Sequence, residues 1–324
     1  MSIPAIGGYL ELELPRNRRM VYPDAQRFQS GRAAFLALLR AARPARIWMP
    51  RYLCDSMYAP LREARIECEH YSVDTDFRIV GEPAVQDGDW LYYVNYFGLC
   101  ANYVDTVLAR YGASRVVVDN CQAFFSTPRP CAATIYSPRK FFGVPDGGLL
   151  VSAFPAQVPS QPDTGSLARS RHLLERIAST PEAAYASYQA AEQSLAVLEP
   201  KRMSQLTETL LSTLNLDHAR LRRNDNFRAL HAVLGPFNQC EIGATSVDGP
   251  LCYPLLIDAP GLREYLISSR IFVATYWPEV AARSDTSSAE LSLARQLLPL
   301  PCDQRYGMDE MARITNACLN FIKP

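Results

Sequence analysis

The stretch DWLYYVNYFGLCANYVDTVLARYGASRVVVDN (89–120) decides the fold class. It contains an apolar run, DWLYYVNYFG, a segment with helical periodicity, ANYVDTVLARYG, and a second apolar run, SRVVVDN. Short apolar runs that alternate with helix-period segments are typical of parallel strands joined by crossover helices. We therefore expect a strand–helix–strand unit here, with both strands buried inside a sheet.

The same alternation extends over the whole region from Ser30 to Ala153. FQSGRAAFLALLRAA predicts an amphipathic helix with Ser30 as its N-cap. Its apolar face carries Phe35, Leu38, Leu39 and Ala42. Further strands are predicted in ARIWMP, ECEHYSVD, ATIYS and GGLLVSAF. The fold class is therefore α/β, with a mainly parallel central sheet covered by helices on both faces.

After a Pro/Ser-rich break, PAQVPSQPDTGS, the sequence changes character. Residues 167–234 have helical periodicity, and we expect interruptions at Pro181 and Pro200 because proline cannot continue a helix. CYPLLI and IFVATYW predict strands of a small sheet, and MDEMARITNACLNFI predicts a terminal amphipathic helix. Two domains are expected: a large α/β domain at 1–225, with the helical segment 167–225, and a small C-terminal α+β domain at 226–324.

Composition excludes several classes of function. The 33 lysine and arginine residues equal the 33 acidic ones, so no net field favours nucleic acid or an anionic membrane. The nine cysteines and four histidines are scattered, without the spacing of metal ligands, so we expect no metal site. The N-terminus lacks the basic and apolar regions of a signal peptide, and no run of about 18 apolar residues occurs. We expect free thiols in a reducing compartment, the cytoplasm.

Asp119 and Gln122 follow the apolar run VVV and are the first candidate functional residues. They come at the carboxyl end of a predicted central strand, the end that faces the ligand crevice in open α/β sheets. Alternatively, Asp119 only caps a turn. The sequence around Asp119 leaves both interpretations open.

Lys140 lies in YSPRKFFGVPDGGLLVS, between two predicted strands. Because Phe141, Phe142 and Val144 are apolar, we expect the lysine to emerge from a buried setting, where desolvation lowers its pKa and makes the amine a usable nucleophile. The paired glycine that follows permits positive φ and a close backbone approach to a ligand. A surface lysine beside a turn is the alternative.

Ser30 and Gly31 stand at the start of the first predicted helix. Free backbone N–H groups and the helix dipole favour a phosphate at such a position. Many helices begin in this way, so this signal is weak when taken alone.

In their order and spacing, these segments resemble the DegT/StrS family of sugar aminotransferases, which are fold-type I pyridoxal-phosphate (PLP) enzymes. SGRAAFLALLRAA resembles the family's phosphate-binding SGTAAL segment, MPRYLCDSMYAPLREARIECEHYSVD its next stretch, VNYFG its VHxxG turn and VVVDNCQAFF its EDAAQA motif. KFFGVPDGG keeps the distance from the cofactor-binding lysine to the paired glycine. KRMSQLTETLLSTLNLDHARLRR and LLPLPCDQRYGMDEMARI resemble the later segments, so the resemblance spans nearly the whole chain.

The resemblance implies a PLP-dependent aminotransferase that moves an amino group from an amino acid such as glutamate to a keto-sugar, in nucleotide-linked form. It implies that Lys140 binds the cofactor covalently and then shuttles a proton between donor and cofactor. Asp119 would pair with the pyridine nitrogen and keep it protonated. Gln122 would donate to or accept from the ring hydroxyl.

The resemblance also implies a phosphate site at the helix start, made by Ser30, Gly31 and Arg32. The family's serine five residues before the lysine is Ile135 in this chain, so Ser137 or Thr134 is expected to take its place.

Two further positions differ from the family pattern. Where the family places an aromatic side chain that stacks on the pyridine ring, this chain has Cys54, and Tyr52 is expected to stand in. The asparagine that reaches the partner subunit's phosphate is replaced by Pro200. The family forms its site between protomers, so the resemblance implies a homodimer with the active site at the subunit boundary.

Tyr276 and Trp277 follow the predicted strand IFVA, and they either line a substrate pocket or close the core. Two rival functions also stay open. One is a different PLP reaction, such as dehydration of a sugar, which normally replaces the lysine by histidine. The other is a binding protein that kept the fold and lost catalysis.

Overall fold

The structure is a computed structural model that describes residues 6, 8–15, 20–154, 156–243, 247–283 and 286–323. The prediction that the N-terminal sequence is not a signal peptide concerns residues that lie partly outside these ranges. Within them, no helix combines the length and the apolar character that a membrane crossing requires.

The described residues form a large central sheet and a small one. The strands are β1 (Gln26–Phe28), β2 (Arg46–Pro50), β3 (Glu67–Val73), β4 (Ile79–Val80), β5 (Asp89–Val94), β6 (Val116–Asp119), β7 (Ala133–Tyr136), β8 (Gly148–Ser152), β9 (Tyr253–Leu256) and β10 (Leu297–Leu300). The central sheet has the order β1-β8-β7-β6-β5-β2-β3-β4. Its inner strands β7, β6, β5, β2 and β3 pair in parallel, whereas β8, β1 and β4 pair antiparallel at the edges. The predicted mainly parallel sheet is confirmed.

Helices surround this sheet and form most of the second half of the chain. They are α1 (Gly31–Ala42), α2 (Ala59–Ala64), α3 (Ala101–Tyr111), α4 (Ser166–Arg169), α5 (Arg171–Ala178), α6 (Tyr185–Ser194), α7 (Gln205–Ser212), α8 (Leu216–Leu234), α9 (Leu262–Ser268), α10 (Ser288–Gln296) and α11 (Met308–Ile322). The predicted helical region 167–234 is confirmed, and its predicted breaks fall around Pro181 and Pro200.

Helices α1 and α3 cover opposite faces of the sheet. Phe35 of α1 packs against Tyr92 of β5, with ring centroids 4.9 Å apart. Val104 of α3 instead lines a small cleft together with Val118 of β6. Tyr92 is in register with Val117, and successive residues of a strand point to opposite faces, so Val118 lies on the other side of the sheet. The predicted coverage of both faces is confirmed.

The small sheet differs from its prediction in one strand. β9 lies within CYPLLI, as predicted, but its antiparallel partner is β10. The prediction of a strand in IFVATYW is wrong, because residues 271–277 form no ladder. The segment is bounded by left-handed residues, Arg270 (φ 58) and Trp277 (φ 53), and LLPL occupies the position beside β9.

The C-terminal core forms around α8, β9 and α11. The predicted terminal helix is confirmed as α11. Phe227, Leu230 and Leu234 of α8 are buried in this core, whereas the first half of α8 lies before the predicted boundary at 225/226. Helix α8 therefore runs unbroken through residues 225 and 226. The division into two domains at this point stays a prediction.

Candidate active site

Asp119 is the last residue of β6, and its side chain is 4% exposed. Val94 and Ile135, its partners in register, lie on the neighbouring strands at the same carboxyl edge. Its Oδ1 accepts a hydrogen bond from the Cys121 N–H at 2.8 Å. Asp119 therefore does cap the turn. The same carboxylate is also buried at the edge of the sheet where ligands bind in such folds.

The start of α1 packs onto this edge of the sheet. The Ser30 Oγ accepts from the Ala33 N–H at 3.2 Å, which confirms the predicted N-cap. A Cβ built on Gly31 would lie 3.2 Å from Cys121 Sγ and 3.9 Å from Ser137 Cβ. Gly31 therefore lies between the turn after β6 and the turn after β7.

Ser137 and Thr134, the two candidates for a phosphate ligand, lie in different surroundings. Ser137 is buried beside the start of α1. The Thr134 Oγ1 lies 3.5 Å from Cys131 Sγ. Thr134 precedes Ile135, which faces α1, so strand alternation turns it to the opposite face of the sheet. Of the two, Ser137 is the one that the fold brings to the helix start.

The paired glycine approaches protein backbone. A Cβ on Gly148 would lie 2.2 Å from the Ser30 carbonyl carbon and oxygen, and Gly147 has a φ of +122. The Gly147 N–H donates to the Gln29 carbonyl at 2.8 Å. The predicted close approach therefore exists, but it joins the segment after Lys140 to the start of α1.

Lys140 ends the short 3₁₀ turn Pro138–Lys140, directly after β7. Phe141 and Phe142 are buried as predicted, and they pack against Phe124. The side chain of Lys140 itself is exposed, so the predicted desolvated setting is not provided by the residues that the structure describes. Phe141 and Phe142 are buried in a cluster with Phe124, and this packing leaves the Lys140 amine exposed.

Cys121 connects Asp119 with Lys140 electrostatically. Burial, and then the negative charge of Asp119, raise the pKa of the Cys121 thiol well above its usual value. The positive charge of Lys140 acts on the same thiol in the opposite direction. The carboxylate and the amine are therefore close enough to act on one buried sulfur atom.

Arg32 places a cation at the helix start. Burial lowers the pKa of Arg32, and within the part of the chain that the structure describes no carboxylate lies within ion-pair distance of it. Arg139 lies nearby: burial lowers its pKa, the charge of Arg32 adds to that shift, and its guanidinium pairs with Glu192. A partly desolvated guanidinium beside a helix N-terminus is well suited to bind an anion.

Gln122 and Tyr52 lie in surroundings that the sequence did not predict. The Gln122 Oε1 accepts from the Phe97 N–H at 3.1 Å and thereby holds the turn after β5, which leaves its NH₂ group as the donor for a ligand. Tyr52 is fully buried, and its ring packs edge-on against Trp277 at 4.7 Å. Tyr52 is thus enclosed in an aromatic cluster with Phe77, Tyr96 and Trp277.

Tyr92 is the residue that sequence reasoning missed. Its hydroxyl is buried within reach of the Asp119 carboxylate, but it makes no hydrogen bond of good geometry with a described residue. Burial, and then the charge of Asp119, raise the pKa of Tyr92 well above its usual value. A buried hydroxyl without a well-formed hydrogen bond is costly, so it indicates a place where another polar group fits. No sequence signal separated Tyr92 from the other tyrosines of its strand.

Tyr276 and Trp277 have different surroundings. Trp277 is 9% exposed and packs against Tyr52 and Tyr96, so it closes the core. Tyr276 is partly exposed, and its ring lies 5.7 Å from that of Phe97. Of the two, Tyr276 is therefore the one left available to a ligand.

The residues at this edge fit PLP. The start of α1, Ser137 and Arg32 suit a phosphate, and the buried Asp119 suits a ring nitrogen. The Tyr92 hydroxyl beside Asp119, which lacks a hydrogen bond of good geometry among the described residues, is accounted for if a polar ring lies there. An accessible amine, Lys140, stands on the same edge.

Comparison with known proteins finds no matching protein-family model and no matching curated protein. Many solved structures share the fold. A sugar aminotransferase, CalS13 from Micromonospora echinospora, is 17% identical, with a TM-score of 0.61 over 92% of this chain and 87% of that one. A DegT/DnrJ/EryC1/StrS aminotransferase from Brucella abortus is 15% identical, with a TM-score of 0.65 over 93% and 86%.

A third structure with the same fold has a different reaction. A GDP-4-keto-6-deoxymannose-3-dehydratase, solved with PLP and glutamate trapped as a geminal diamine, is 17% identical, with a TM-score of 0.61 over 90% and 87% of the two chains. The chain therefore has the fold of the DegT/StrS-type sugar aminotransferases, and the predicted fold-type I class is confirmed. Fold alone does not choose between amino transfer and dehydration.

Proposed function

We propose that this chain is a PLP-dependent aminotransferase that transfers an amino group from an amino acid, with glutamate as the expected donor, to a nucleotide-linked keto-sugar. One observation carries the proposal: the buried Asp119 carboxylate accepts from the Cys121 N–H beside the start of α1, and an accessible amine, Lys140, follows the neighbouring strand β7 at the same edge. The shared fold of sugar aminotransferases supports the substrate class.

The identity of residue 140 supports amine chemistry. The chain has only three lysines, Lys140, Lys201 and Lys323, so thirty of its 33 basic side chains are arginine. A guanidinium cannot lose its proton in a protein, whereas a lysine amine can become neutral and attack a carbonyl. A lysine where the chain otherwise uses arginine is therefore consistent with covalent binding of an aldehyde cofactor.

Each side chain has a distinct proposed part. When bound, PLP supplies an electron sink that stabilises negative charge on the carbon that carries the amino group. Asp119 is proposed to hold a proton on the ring nitrogen, and the start of α1, with Arg32 and Ser137, to hold the phosphate. Lys140 is proposed to bind the cofactor and then to move a proton to and from the donor carbon.

The rival functions are separated by particular residues. Dehydration of a sugar is the reaction of one structural neighbour, but enzymes of that kind normally have histidine where this chain has Lys140. A non-catalytic binding protein has no need of Asp119 and Lys140 together beside one helix start.

The proposed function is tested by a half-reaction. We expect the purified protein to bind PLP and, with L-glutamate alone, to release one 2-oxoglutarate per subunit while the visible spectrum of the cofactor changes. A keto-sugar nucleotide added next should restore the spectrum and yield an amino-sugar. A sugar product that has lost water and gained no amino group would instead identify a dehydratase. Absence of both cofactor binding and 2-oxoglutarate would favour the binding protein.

We also propose a homodimer with the active site at the subunit boundary. Several large apolar side chains of the helical segment are exposed on this chain, namely Leu167, Leu174, Ile177 and Tyr185. Large exposed apolar side chains that cluster in one segment of the chain are consistent with a protein interface. Light scattering should give twice the chain mass, and a fully active monomer at low concentration would contradict the proposal.

The location and the remaining partners are proposed from composition. All nine cysteines are free thiols in the structure, which is consistent with the reducing cytoplasm. The balanced charge is consistent with small-molecule substrates as partners, without nucleic acid or membrane.

A further inference from the structure

Arg223 is a buried cation that no carboxylate of the described residues contacts directly. It lies in α8, and its side chain is 2% exposed. Its Nη1 donates to the carbonyl of Pro250 at 2.8 Å, and its Nε donates to Gln304 Oε1 at 2.7 Å. The nearby Asp303 carboxylate pairs with Arg305. A buried guanidinium that is bonded only to neutral carbonyl oxygens costs free energy. We therefore expect Arg223 to have a role at this position.

The remaining contacts of Arg223 reach the segment that carries Lys140. Its Nη2 donates to the Phe141 carbonyl at 3.1 Å, and its guanidinium lies 4.7 Å from the centre of the Phe141 ring. The Gln304 Nε2 donates to the same carbonyl at 2.8 Å. The carbonyl that follows Lys140 is thus held by two side chains, one from α8 and one from the loop before α11.

We propose that Arg223 and Gln304 are positioning residues that fix the backbone at Lys140 by clamping the Phe141 carbonyl. The importance of this clamp for catalysis rests on the proposed function of Lys140. The Lys140 side chain is exposed, so packing does not fix it, and the position of its amine depends on the backbone that carries it. Reacting groups must be held to within a fraction of an ångström, which gives such a clamp its purpose.

The clamp also joins two parts of the chain. Arg223 donates to Pro250 and Leu251, which precede β9, and Gln304 precedes α11. On the other side, Phe141 packs in the cluster with Phe124 and Phe142. A displacement of the C-terminal core would therefore move the backbone at Lys140.

Gln304 offers the sharper test, because it is only half-buried and its variants are expected to fold. Gln304→Leu removes the donor to the Phe141 carbonyl and the acceptor for Arg223. Gln304→Glu keeps that acceptor and replaces the donor by an oxygen. Both should raise amide hydrogen exchange in the peptide covering 138–144 by about five- to tenfold, the size expected for one net hydrogen bond. Arg223→Lys keeps the positive charge but loses the planar guanidinium, which donates from several nitrogen atoms. It should show the same effect.

Arg305→Gln is the matched control. Arg305 is adjacent to Gln304 and pairs with Asp303, and none of its hydrogen bonds with described residues reaches Phe141. This variant should leave exchange at 138–144 unchanged. If Gln304→Leu also leaves it unchanged, or if Arg305→Gln raises it equally, the clamp does not exist.

A labelling experiment connects the clamp with Lys140. Protein treated with PLP and borohydride is digested, and the label at Lys140 is divided by the label at Lys201 and Lys323. The ratio should fall several-fold in Gln304→Leu and stay at the wild-type value in Arg305→Gln. An unchanged ratio in Gln304→Leu would overturn the positioning role. Wild-type protein that is not labelled at Lys140 would count against the proposed function, whereas the exchange measurement would still decide whether the clamp exists.

Discussion

Replacement of Lys140 by alanine is expected to abolish the half-reaction with glutamate and the visible band of lysine-bound cofactor. A general acid–base side chain contributes about 10²- to 10⁴-fold to a rate, and Lys140 is proposed to supply covalent binding in addition. Lys140→Arg should be equally inactive, because it keeps the positive charge but cannot lose its proton. The measurements are the absorbance spectrum with PLP and the amount of 2-oxoglutarate formed in a single turnover.

The other two lysines are the controls. After borohydride reduction of wild-type protein with bound PLP, peptide mapping should find the label at Lys140, and Lys201→Ala and Lys323→Ala should keep both label and activity. If Lys140 were a surface lysine beside a turn, its removal would change stability by no more than about 0.5 kcal/mol and leave the chemistry intact. Label that persists in Lys140→Ala would disprove the assignment.

Replacement of Asp119 by asparagine is expected to separate the electrostatic role from the structural one. Asparagine keeps the Oδ1 that accepts from the Cys121 N–H, so the turn should remain and the melting temperature should stay close to the wild-type value. The negative charge is lost, however, and the single-turnover rate should fall by about 10²-fold or more, as it does when one preorganised electrostatic group is removed.

Asp74 provides a matched control on the same sheet. It follows β3, and its Oδ1 accepts from the N–H groups of Asp76 and Arg78 at 2.9 and 2.8 Å. Asp74→Asn should preserve those bonds and leave the rate unchanged. Asp119→Ala, which loses the turn bond as well, should cost about 1 kcal/mol of stability. A rate near wild type in Asp119→Asn would mean that the carboxylate only caps a turn.

The site residues differ in how well the sequence located them. Asp119, Gly31 and Lys140 stand at the ends of regular elements, and the ends of a strand or a helix can be read from local periodicity. Tyr92 and Tyr52 lie in segments rich in tyrosine, and periodicity does not tell which hydroxyl lies beside Asp119. Tyr92 is placed there because β5 pairs with β6, a contact between residues far apart in sequence.

The exposure of Lys140 was likewise beyond local reasoning. Apolar neighbours indicated a buried setting, but Phe141 and Phe142 pack into a cluster with Phe124 and leave the amine outside. IFVATYW has the composition of a strand, yet strand formation needs a partner, and LLPL occupies the position beside β9.

By itself the sequence determined the α/β class, the order of the main helices and strands, and the collinear segments that resemble sugar aminotransferases, because these depend on periodicity, turn residues and spacing along the chain. Only the tertiary structure decided that Ser137 and not Thr134 lies at the helix start, and that the paired glycine approaches the backbone of Ser30. It alone showed that Arg223 reaches the Phe141 carbonyl. Such contacts join residues that are distant in sequence, and they depend on which face of a strand or helix meets its neighbour, so no local pattern encodes them.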